Sequence, residues 1–69
     1  MLYRIKIPHC IDVVIEFPDL GDAEAYAREL NELICRSNRI YIHLLERRGD
    51  GIIEVFRKLI TEDHGGSTP

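Results

Sequence analysis

In this 69-residue sequence, His9, Cys10, Cys35 and His43 are side chains that could in principle bind zinc or form a nucleophile pair. Zinc sites favour ligands grouped at short spacing. Here only His9 and Cys10 are neighbours, and the cysteines stand at positions 10 and 35. The spacing points to a turn histidine, a strand histidine and two ordinary thiols, with no metal and no cofactor. A cysteine–histidine nucleophile also needs an orienting third group, an oxyanion site and a pocket. No local motif marks either cysteine, and so short a chain has little room for a cleft. The expectation is a protein that is not an enzyme.

Arg47-Arg48-Gly49-Asp50-Gly51 has two further readings. Arg48-Gly49-Asp50 is the tripeptide bound by adhesion receptors, but turn chemistry accounts for Gly-Asp-Gly by itself. Glycines ahead of a helix can expose N–H groups to phosphate. Asp50 opposes an anion there, and no Walker-type lysine follows.

Charge is the remaining lead. The net charge is −3, unevenly spread. From Asp12 to Glu32 there are seven acids and one base, and from Arg36 to Lys58 six bases and three acids. The acidic group Asp19, Asp22, Glu24, Glu29 and Glu32 would suit a basic surface on another protein. The basic group Arg36, Arg39, Arg47 and Arg48 is the alternative, a contact for nucleic acid. An acidic chain with few free aromatic side chains makes that alternative weaker.

These residues must be positioned by short elements. Leu2 to Ile7 alternates in polarity as a half-buried strand, and so does Ile11 to Phe17. Pro8 interrupts them, which predicts a hairpin. Asp19 or Asp22 would cap a helix running to about Arg36. Its apolar face would be Ala23, Tyr26, Ala27, Leu30, Leu33 and Ile34. Glu24–Arg28 and Glu32–Arg36 are spaced for ion pairs, and Asn38 suits a left-handed stop. Arg39 to Glu46, apolar on both faces except for His43, predicts a central strand. With a helix between them, strands two and three would run parallel through a right-handed crossover.

The segment after Gly51 fits two patterns. As a helix, Ile52, Ile53, Val55, Phe56, Leu59 and Ile60 form one face, with Asp50 as cap and Gly65 as stop. As a strand, it follows a two-residue turn at Gly49-Asp50, with Leu44 opposite Val55 and Glu46 opposite Ile53. That strand would leave Val14, Tyr41, Leu45, Ile52 and Phe56 on an open sheet face. The helix is preferred. The expected fold is therefore α+β, in the order ββαβα with a three-stranded mixed sheet and two helices. The alternative is ββαββ, a four-stranded sheet with one helix. Residues 1–63 form one compact domain and 64–69 a flexible polar tail.

Apolar residues make up 45% of the chain and charged residues 30%, which excludes wholesale disorder. No apolar run reaches membrane-spanning length. The first residues do not resemble a secretion signal. Two cysteines make no disulfide framework, so the expected setting is the cytoplasm, without membrane contact. A domain this small buries a modest core, which favours self-association or a stabilising partner. The function expected is a non-enzymatic protein-binding module: a small acidic inhibitor or regulator of the phage anti-defence or anti-CRISPR type, a comparison of type and not of sequence. It would dock on a basic surface of another protein, and a homodimer is compatible with it. The alternatives are a nucleic-acid or nucleoprotein accessory and a structural homo-oligomer.

Overall fold

The computed structural model describes residues 1–62. The expected tail and the last position of the expected domain lie outside the described residues. In chain order the elements are β1 (Leu2–Ile7), β2 (Ile11–Glu16), α1 (Leu20–Leu30), a π-helical turn (Asn31–Cys35), β3 (Arg39–Arg48) and β4 (Gly51–Thr61). The four strands form one sheet in the order β2-β1-β3-β4, and every neighbouring pair is antiparallel. The fold is the ββαββ alternative.

The preferred reading, with a second helix and a three-stranded mixed sheet, is corrected on both counts. Residues 51–61 form a strand. Ile52, Ile53, Val55, Phe56 and Ile60 are β-branched or aromatic and suit a pleated surface. Gly49 takes the positive φ, 57°, that a two-residue hairpin turn needs. Strands β2 and β3 do point the same way, but β1 lies between them, so no parallel ladder forms. The expected hairpin register holds at Glu46–Ile53, whereas Leu44 pairs with Phe56. A β-bulge at Val55 absorbs the difference, because Leu44 pairs with residue 56 and Leu45 with residue 54.

One sheet face is covered by α1. Tyr3, Ile5 and Ile7 of β1, Ile40 and Ile42 of β3 and Ile60 of β4 are buried beneath Ala23 and Ala27. The two alanines, four apart, let the helix backbone come close to the sheet. Asp19 caps the helix: its Oδ1 accepts from the Asp22 N–H at 2.9 Å. Leu33 and Ile34 depart from expectation and are exposed. The π-turn changes the helical phase, and Asn31 takes the buried position four residues after Ala27. The left-handed residue that stops the helix is Arg36, with φ 52°, and not Asn38. No Glu32–Arg36 ion pair forms among the described residues, since Arg36 has left the helical path.

Asn31 replaces a backbone connection. Its Nδ2 donates to the Ser37 carbonyl at 2.8 Å and its Oδ1 accepts from the Ser37 N–H at 2.8 Å. The side chain thus holds the end of the helical segment against the loop leading into β3.

Cys10, in the β1–β2 turn, and Cys35, at the end of the π-turn, are joined in a disulfide with Cα atoms 5.8 Å apart. The expectation of two ordinary thiols is corrected. The antiparallel hairpin and the helix above it bring the two positions together at one end of the sheet. Disulfides persist in oxidising surroundings, so the cysteine count no longer supports a cytoplasmic setting. Among the described residues, no helix is long and apolar enough to cross a membrane.

Candidate functional site

The β3–β4 hairpin outgrows the rest of the sheet. Strand β1 pairs with β3 only as far as Leu2–Leu45, while β3 and β4 continue to Arg48–Gly51. The hairpin therefore projects by three residue pairs, roughly 10 Å of strand. Strand β4 forms the outer edge of the sheet, so one side of its backbone has no strand partner among the described residues. Ile52, Ile53, Val55, Phe56 and Leu59 along it are all exposed, between 42% and 55%. Long apolar edges of this kind are templates for pairing with another chain.

The sheet face away from α1 carries a mixed charged cluster. Arg4 and Asp12 meet in a two-pronged contact, with Nε to Oδ1 at 2.7 Å and Nη2 to Oδ2 at 2.6 Å. That contact holds the Asp12 carboxyl below its ordinary range. His43 Nδ1 lies 2.6 Å from Glu54 Oε1, and Arg57 Nε lies 3.4 Å from Glu54 Oε2. The hydrogen bond from His43, with Arg57 adding its charge, lowers the Glu54 carboxyl too. Beside them is a shallow depression of about 540 Å³ lined by Lys6, Pro8, His9, Tyr41, His43 and Arg57. The open face expected for the strand alternative is present with one exchange. Val14, Tyr41 and Leu45 belong to it, whereas the bulge turns Phe56 toward the helix side.

The five expected acidic residues do not form a uniform surface. Asp19 is engaged as the helix cap. Glu24 is mostly covered and accepts from Lys58 Nζ at 2.7 Å, with Arg28 Nη1 at 3.6 Å. Asp22, Glu29 and Glu32 are exposed, with no ion-pair partner among the described residues. The basic group divides as well. Arg36 ends the π-helical turn, Arg39 begins β3, and Arg47 and Arg48 end it. Arg39 and Arg48 stand nine residue steps apart along the strand, roughly 30 Å. The sequence sets His43 beside the cysteines and Arg57 in the basic half, and joins neither to Arg4 and Lys6, because their common face depends on strand order, which periodicity does not carry.

The sulfur atoms of Cys10 and Cys35 are bonded to each other, so neither is a thiolate for zinc or for nucleophilic attack. No cluster of three or more metal-ligating side chains occurs among the described residues. The Tyr3 hydroxyl is buried without a hydrogen-bond partner among the described residues. Burial, and then the charge of Asp19, raise its pKa and keep it protonated. Comparison of the chain with protein-family models, with curated proteins and with solved structures gave no match.

Proposed function

We propose that this chain is a non-enzymatic protein-binding module, a small regulator or inhibitor, that engages its partner through the edge of β4. The supporting observation is that edge: eleven residues long, without a strand partner on its outer side among the described residues, and bearing five large exposed apolar side chains. A partner strand added there would gain main-chain hydrogen bonds, and the alternate side chains would supply specificity. The test is capture of protein from a host lysate by immobilised wild-type chain and by an Ile52→Lys/Leu59→Lys variant. Both positions are exposed, so circular dichroism should show the variant folded. The variant should lose the captured protein, and equal capture by both would refute the reading.

A second reading keeps the acidic helix as the docking face for a basic partner. It is favoured by Asp22, Glu29 and Glu32, which stand exposed and without ion-pair partners among the described residues. Glu29→Lys/Glu32→Lys separates the two: it abolishes capture only if the helix is the contact.

A further inference from the structure

We infer that the edge of β4 is filled by a second copy of this chain, antiparallel to the first, with Arg57 of each copy facing Glu54 of the other. The inference rests on the reading of β4 as a binding edge and names its occupant.

The bulge selects the register. In a regular strand, residues three apart point to opposite faces. Because Val55 is an extra residue, Glu54 and Arg57 share the open face, and they touch within one chain at 3.4 Å. Antiparallel partners in a ladder also share a face. A two-fold axis between Val55 and Phe56 therefore pairs Arg57 with Glu54, and Leu59 with Ile52, on the open face. On the helix face it pairs Lys58 with Ile53. Each pair occurs twice by symmetry, giving two opposite-charge pairs and two apolar pairs on one face. Sliding one copy by two residues in the overall register sets Arg57 against Ile52 in one direction, and Leu59 against Glu54 in the other. Of these three registers, the central one sets charge against opposite charge and apolar against apolar on the open face.

The described residues leave room for the second copy. Helix α1 lies over β1 and β3, and an axis perpendicular to the sheet puts both helices on the same face. The result is an eight-stranded sheet in the order β2-β1-β3-β4-β4-β3-β1-β2. Natural sheets blunt their exposed edges with short strands, proline or charge. Strand β4 is the longest of the four, contains no proline and has only Glu54, Arg57 and Lys58 as charges within it. Two of those three, Glu54 and Arg57, are the residues that would face Arg57 and Glu54 of the second copy.

Sedimentation equilibrium should give twice the 8.0 kDa chain mass. Mixing Leu59→Cys chains with Ile52→Cys chains under mild oxidation should give a cross-linked dimer, because facing Cβ atoms in a ladder lie within disulfide reach. Neither variant should cross-link to itself. Arg57→Glu should weaken dimerisation about tenfold or more through two like-charge pairs, and Glu54→Arg/Arg57→Glu should restore it. A monomer at millimolar concentration overturns the inference, as does a dimer without the 59–52 cross-link. Either result leaves the capture experiment to decide separately whether β4 is a binding edge.

Discussion

Breaking the Cys10–Cys35 bridge should remove most of the stability of this fold. The bridge joins residues 25 apart. By the chain-entropy account, closing a loop of that length disfavours the unfolded ensemble by about 3.5 kcal/mol. A single core in a domain of this size rarely supplies more than about 3–5 kcal/mol net. The reduced chain should therefore sit close to its own midpoint at room temperature. For a domain of 60–100 residues each kcal/mol moves Tm by about 4–8 °C, so the loss amounts to roughly 14–28 °C. Cys10 is exposed and Cys35 half-buried, so a phosphine reductant can reach the bond. Thermal and urea unfolding followed by circular dichroism, with and without reductant, measures the effect. The Cys10→Ser/Cys35→Ser variant should match the reduced wild type. Its urea slope should be steeper than that of the oxidised chain, because an uncrosslinked unfolded state exposes more surface. Coincident midpoints for oxidised and reduced protein would refute the reasoning.

Tyr3→Phe removes a buried hydroxyl that has no partner among the described residues. It should raise stability by about 1 kcal/mol, and a lower urea midpoint would show that the hydroxyl is satisfied in solution. Asn31→Ala deletes both bonds to Ser37 and should cost about 1–3 kcal/mol, read from the same urea curves; an unchanged midpoint would mean that the loop holds without the side chain. Asp12 and Glu54 both have lowered carboxyl pKa values in the fold, so the folded chain binds fewer protons at these groups than the unfolded one. Their contribution is complete above the ordinary carboxyl range and is lost as pH falls through the lowered values. Urea midpoints measured down the acid limb should decline, and Asp12→Asn/Glu54→Gln should flatten that decline.

Local chemistry made much of the fold legible. Alternation located β1 and β2, Asp19 marked the helix start, and Gly49-Asp50 marked the second hairpin. The segment after Gly51 was ambiguous because Ile52, Ile53, Val55, Phe56, Leu59 and Ile60 satisfy a helical stripe and a bulged strand equally well. The decision lies in tertiary pairing: β3 needs a partner on its free side, and no local rule states that. Asn31 was invisible for a related reason. A helical pattern continues smoothly to Ile34 on paper, and only the π-turn moves a polar residue into the core. The disulfide joins two positions with no local relation, so it follows from the topology alone. The candidate edge was legible as a run of apolar residues, but not as an edge. Arg4, Lys6, His43 and Arg57 come from three strands, and their side-by-side order is set by long-range pairing that no local pattern states.

The bridge also changes how far apart the ends of the central ladder are along the covalent path. Lys6 and Tyr41 pair across β1 and β3, 35 residues apart in sequence. Through the bond, the path is four residues to Cys10 and six beyond Cys35. Loop-closure entropy falls with the logarithm of that length, by about 1 kcal/mol here. Pairing of β1 with β3, a distant contact in the reduced chain, becomes a nearly local one once the bond has formed. Folding rates follow contact locality. Stopped-flow refolding of the oxidised chain should therefore be roughly fivefold faster than that of the reduced chain. Oxidation would act as an assembly step, converting a slow sheet topology into a fast one.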